Sequence, residues 1–132
     1  MPYAIVVVPV APLRAAASHR SEMISQLLWG ACVEITATAP DGWIQVKNQF
    51  DSYTGWATAA HFETIDETLF QAPAVYYFPG WINRATMNDS PVQVPFGCVV
   101  KSSNNTSAQW GNTRVKFEDK LLSLPGSREV DS

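Results

Sequence analysis

Four side chains in this sequence could support thiol or metal chemistry: Cys32, Cys98, His19 and His61. A cysteine nucleophile needs a base within hydrogen-bond reach, and histidine commonly serves. Cys32 lies in GACV and Cys98 in FGCVV. Apolar flanks raise a thiol's pKa and make the reactive thiolate scarce, so both cysteines are expected to be inert. Two Cys and two His without close paired spacing also lack the pattern of a zinc site, and neither a metal nor any other cofactor is expected. Both histidines are expected to be exposed loop residues, His19 within the polar stretch SHRSE. The motifs HExxH and G-x-S-x-G are absent, which disfavours a self-sufficient hydrolase.

Tyr53 offers a different chemistry. It sits in QFDSYTGW, a polar segment between two apolar runs, where a phenol has no obvious core to enter and its hydroxyl can meet a ligand. Asp51 is a weaker binding candidate, since an exposed loop carboxylate is usually only solvated. Trp29, Trp43 and Trp56 could stack on a ligand or pack, and packing is expected for Trp43 and Trp56, with Trp56 buried. Arg14 and Glu22 could pair across a loop, an interaction worth ~0–1 kcal/mol if exposed.

The elements that must position these groups read as short strands. Runs rich in Val, Ile, Thr, Tyr and Trp are punctuated by Pro, Gly, Asn and Asp throughout, and no long window has a helical period. Residues 3–8 form the first such run. Cys32–Ala39 alternates, with Val33, Ile35 and Ala37 on one face. The run 43–46 follows Pro-Asp-Gly, a turn signal, which makes a hairpin with the strand before it. Residues 74–78, 92–94, 98–101 and 114–122 have the same character, and the fold class is all-β.

Composition narrows the functions. The chain has 132 residues, 46% of them hydrophobic and 16% charged, enough apolar content for a core. Its net charge is −3 and its cations are dispersed, so it lacks the electrostatic footprint of a nucleic-acid binder. The longest apolar run, residues 4–13, is broken by Pro9 and Pro12 and is about half the ~20 residues of a membrane-spanning helix, so no membrane partner is expected. The first cation, Arg14, follows this run rather than preceding it, unlike an export signal. The expected location is cytoplasmic, or cell-wall associated if the chain is a trimmed mature form. Two cysteines allow one disulfide at most.

An internal repeat is visible. QLLWGACV (26–33) and QVPFGCVV (93–100) align at an offset of 67 residues, and the same offset carries Trp43 onto Trp110. The chain is accordingly divided into two related β units, 1–66 and 67–126, followed by a polar tail, 127–132, with the boundary near IDET. A barrel of ~60 residues buries only about 60% of its unfolded surface, so the two units are expected to pack together.

The pattern LR-(x)7-E-(x)3-QLLWG-(x)2-V, then GW-(x)2-V, then YTGW, resembles bacterial SH3-type domains, with Arg14, Glu22, Gly30, Trp43, Val46, Gly55 and Trp56 at the family's positions. The run APLRAAASHRSEMISQLLWG is similar to the first SH3-type domain of NlpC-type cell-wall cysteine peptidases, the γ-D-glutamyl-L-diamino acid endopeptidases. The second unit looks like the more divergent second SH3-type domain of several such enzymes. The resemblance implies two small SH3-like β-barrels in tandem. It also implies a non-catalytic role: these domains border the active-site cleft and help select stem peptides with a free N-terminal L-Ala. The family's catalytic Asp-Cys-Ser-Gly stretch and its histidines have no match here. The implied partners are a peptidoglycan stem peptide or muropeptide and a catalytic peptidase domain in cis or in trans. Tyr53 matches the tyrosine before Gly-Trp that the family offers to substrate. A different class of function is a stand-alone SH3-like interaction module holding an extended or proline-rich peptide in an aromatic groove.

Overall fold

The computed structural model describes residues 2–74, 76–95, 98–102, 104–119 and 121–123. The polar tail, 127–132, and the Phe96 and Gly97 of the second repeat landmark lie outside them. The chain is all-β. Its first seven strands, β1 (Tyr3–Val6), β2 (Val10–Arg14), β3 (Met23–Leu28), β4 (Cys32–Ala39), β5 (Trp43–Asn48), β6 (Thr54–Thr58) and β7 (Phe62–Ile65), form one antiparallel sheet in the order β3-β2-β6-β5-β4-β1-β7. The sheet curls on itself: Val6 N–H donates to the Ala31 carbonyl (2.9 Å) and Gly30 N–H to the Val6 carbonyl (3.0 Å), so the turn after β3 is tied to the end of β1. Inside lies a core of Ala4, Val6, Ala11, Leu13, Leu27, Val33, Ile44, Val46 and Ala57.

A five-residue helix, α1 (Glu67–Gln71), occupies the acidic stretch after β7. Asp66 starts it by accepting the Leu69 N–H at 2.8 Å, a side-chain cap that satisfies one of the unpaired donors of a helix start. Beyond it come β8 (Tyr76–Tyr77), β9 (Ile82–Met87), β10 (Ser90–Pro95), β11 (Val99–Val100), β12 (Ser107–Trp110), β13 (Thr113–Phe117) and β14 (Leu122–Ser123). They make a four-stranded sheet, β10-β9-β13-β12, and a three-stranded one, β11-β8-β14. Pairing each strand with the one seven places earlier reproduces the order of the first sheet, interrupted only between β12 and β11. Asn88 and Asp89, both with positive φ, make the two-residue β9–β10 turn. Pro91 and Pro95 sit on β10, an edge strand, where a missing N–H costs no ladder bond.

Half of the repeat alignment has a structural counterpart and half does not. Gln26 and Gln93 fall on β3 and β10, which hold equivalent places in the two strand orders. Trp43 opens β5, whereas Trp110 closes β12, so the gapless register of the two tryptophans fails. The strands explain the slip: β11 has two residues where β4 has eight, so β12 opens at Ser107, three residues before the position the offset assigns.

The two halves share a core. Ile5, Trp29, Cys32 and Ile65 from the first half join Phe78, Ala85, Val94, Val100, Trp110, Val115, Phe117 and Leu121 from the second. Trp29 and Trp110 are in contact, ring centroids 4.7 Å apart, and the Trp29 indole N–H reaches Met87 Sδ at 3.3 Å. Consequently β1 and the start of β4 are buried on both faces: Val6 and Val33 point into the first core, Ile5 and Cys32 into the second. A polar clasp lies nearby, where Glu63 of β7 accepts from Asn112 N–H (2.8 Å) and Thr113 Oγ1 (3.2 Å).

Three expectations about individual side chains need correction. Trp56 is only half-buried and belongs to neither core, because β6 turns Gly55 and Ala57 inward and Trp56 therefore outward. Arg14 donates to the Ser21 carbonyl (3.1 Å) rather than pairing with Glu22, whose own carbonyl holds the Ala15 N–H. His61 is half-buried with its Nδ1 enclosed, although His19 is exposed as expected, its ring 4.8 Å from that of Trp43. Trp43 itself is packed, at 7% exposure.

Candidate functional site

The β5–β6 connection, residues 49–53, carries the sequence-predicted site residues, and its shape is fixed by one carboxylate. Asp51 Oδ1 accepts from the Tyr53 N–H and from Asn48 Nδ2, both at 3.0 Å. Ser52 takes positive φ (62°), and Ser52 N–H closes onto the Asn48 carbonyl at 2.8 Å, while Asn48 N–H donates to the Tyr53 carbonyl. Asp51 is thus more than a solvated carboxylate: an Asx-type turn uses it to hold the loop. Tyr53 follows at the loop's end, 44% exposed, immediately before β6 begins at Thr54. Tyr53→Phe is expected to leave stability within about ±0.5 kcal/mol, as surface substitutions usually do. Asp51→Ala is expected to cost about 1 kcal/mol, the net worth of a lost loop hydrogen bond, and urea denaturation of both variants checks the contrast.

The other end of the same loop faces a cleft of about 730 Å3 between the two halves of the chain. Gln49 and Phe50 stand on one side, Ala72 and Pro73 beyond the end of α1 on another, and Val99 and Lys101 on a third, with Cys32 and Cys98 also in its wall. Phe50 is 94% exposed. Lys101, by contrast, is 7% exposed. Its Nζ donates to Gln49 Oε1 (2.7 Å) and to the Phe70 carbonyl (2.5 Å), and lies 5.5 Å from the centre of the Phe70 ring. Gln49 Nε2 donates to the same carbonyl at 2.6 Å, so loop, helix and second sheet meet at one polar knot. Burial pushes the Lys101 ammonium below its ordinary pKa, an effect the Cys32 sulfur partly offsets. Sequence reasoning missed this lysine. It ends the apolar run CVV, and nothing in that pattern distinguishes a buried ammonium from a solvated strand end.

Both thiols are buried and unpaired, so no disulfide joins them. Burial raises the Cys32 pKa, with Lys101 opposing it, and pushes Cys98 from 9.0 up to about 11, against a smaller opposing hydrogen bond from the Trp29 backbone. Neither thiol is expected to react with iodoacetamide at neutral pH until denaturant is added, which mass spectrometry of the intact chain reads directly. The Cys98 shift also has a sign for stability. A raised folded-state pKa contributes stability in full below the ordinary thiol value and loses it as pH rises through about 11. Wild type should therefore lose roughly 2–3 kcal/mol more than Cys98→Ala across that alkaline window, measured by urea denaturation at each pH. Among the described residues, no cluster of three His, Cys, Asp or Glu side chains could hold a metal ion, and no helix is long and apolar enough to cross a membrane.

The curled sheet, with its loop between β5 and β6, can be compared with known families. Residues 13–62, from Leu13 in β2 to Phe62 at the start of β7, match the family model described as the bacterial dipeptidyl-peptidase Sh3 domain. This stretch is similar to a bacterial SH3-type domain. No curated protein matches the chain. The SH3-type region contains the whole 49–53 loop, so Asp51 and Tyr53 belong to it, as does Gln49 on the wall of the cleft. Lys101 and Cys98 lie outside the matched residues.

Proposed function

We propose that this chain is a non-catalytic recognition module of an NlpC-type peptidoglycan endopeptidase, built from two SH3-type units, and that its 49–53 loop reads stem peptides with a free N-terminal L-Ala. The observation that carries this reading is the exposed Tyr53 held at the end of a loop that Asp51 organises from within. A loop fixed in this way presents a phenol without the entropic cost of ordering it on binding. The SH3-type match over residues 13–62 supports an accessory role beside a bacterial peptidase, and the strand order of the second half supports reading it as a second copy. The inert character of both thiols supports a chain whose partner peptidase domain, in cis or in trans, supplies the nucleophile.

The test uses L-Ala-γ-D-Glu-diaminopimelate. Incubated with this chain alone, the peptide should be recovered intact by mass spectrometry. Cleavage that Cys32→Ser or Cys98→Ser abolished would overturn the assignment. In a binding titration, Tyr53→Phe should weaken the peptide roughly 2–10-fold, the range of one hydrogen bond's net contribution. Unchanged affinity would remove Tyr53 from the site.

A further inference from the structure

A buried ammonium usually has a carboxylate beside it, because an uncompensated charge away from water is costly. Lys101 has none among the described residues: its two hydrogen-bond partners are an amide oxygen and a main-chain carbonyl, and the cleft wall contains no Asp or Glu. An ammonium carries three donors, so one N–H remains beyond the bonds to Gln49 and Phe70. Around it the wall is largely apolar, with Leu28, Trp29, Phe50, Pro73 and Val99. The volume, about 730 Å3, falls inside the ~300–1,000 Å3 range of ligand pockets, which are typically apolar with a few placed polar groups.

We infer that this cleft binds the C-terminal carboxylate of a short peptide, with Lys101 as its counter-ion and the apolar wall holding the last one or two side chains. Charge complementarity selects this occupant. One cation with no anion beside it favours an anionic group, and the apolar surroundings favour one borne on a compact apolar peptide end over a highly charged ligand. Gln49 has a second part in the arrangement. By binding both Lys101 and the Phe70 carbonyl it fixes the ammonium at the wall while adding no negative charge. The site is separate from the reading of Tyr53, since it uses the opposite end of the loop and a residue from the second half of the chain.

The experiment titrates the full chain, labelled with 15N, with N-acetyl-Ala-Leu as the free acid and as the carboxamide. The acetyl group blocks the amino end, so the result is independent of any recognition of free L-Ala at Tyr53. The free acid should shift the amides of Gln49, Phe50, Ala72, Val99 and Lys101, and the carboxamide should bind at least about tenfold more weakly, a difference of about 1.4 kcal/mol. Lys101→Met should lose the free acid by a similar factor. Because Lys101 also ties three elements together, Gln49→Glu is the companion variant. It places an internal carboxylate against the ammonium, at the cost of the Nε2–H donor to the Phe70 carbonyl, and should lose free-acid binding about tenfold while a cooperative thermal melt shows that the chain still folds. Equal binding of acid and amide, shifts confined to other parts of the chain, no shifts at roughly 10 mM peptide (a binding free energy weaker than about −3 kcal/mol), or full binding by Gln49→Glu would each overturn the inference.

Discussion

Trp29→Ala should lower the unfolding free energy of the whole chain by about 3–5 kcal/mol, the usual cost of truncating a buried aromatic side chain to alanine. The indole is 1% exposed and belongs to the first half of the chain, in the turn after β3, yet it packs in the core of the second half, against Phe78 and Trp110. Its removal therefore opens a cavity at the junction of the two halves rather than inside one of them. Urea denaturation followed by tryptophan fluorescence should show the midpoint falling for both halves together. A loss confined to one transition, with the other unchanged, would mean that the shared core does not couple them.

A comparable effect is expected from Gly111→Val, for a different reason. Gly111 turns from β12 to β13 with φ of 60°, and a Cβ there would collide with the Thr64 carbonyl and the Glu63 side chain of β7. The left-handed backbone costs a branched residue about 1–2 kcal/mol and overpacking about 1–3 more, so a total of about 2–5 kcal/mol is expected. The clash also breaks the clasp in which Glu63 holds Asn112 and Thr113. Hydrogen exchange should then show faster opening of the Asn112 amide than in wild type. If the variant melts within a degree of wild type, the close approach of this turn to β7 is wrong.

Much of the fold was legible because period-2 patterning is local. Cys32–Ala39 and the hairpin with the following strand were readable from alternation and Pro-Asp-Gly, and the structure has the strand with those bounds. The continuous apolar start, AIVV, was readable as a strand, but its meaning was not. Its unbroken hydrophobicity arises because β1 separates two cores, which depends on a partner surface more than seventy residues away in the chain. Trp56 misled for the reverse reason. A tryptophan beside glycine looks like core, yet alternation with Gly55 and Ala57 assigns it outward. At the candidate site, the exposed loop position of Tyr53 was legible from loop polarity, and the structural role of Asp51 required the turn geometry. Lys101 was illegible, since its burial is created by Gln49 and Phe70 from distant segments.

The claim that the 49–53 loop of this SH3-like region reads a free amino end is tested most directly by 15N chemical-shift mapping with L-Ala-γ-D-Glu-diaminopimelate and its N-acetylated form. The account predicts that the free peptide moves the amides of Asp51, Ser52, Tyr53 and Thr54 and that acetylation abolishes the response. Silent amides across this segment, or the same response from the acetylated peptide, would contradict it.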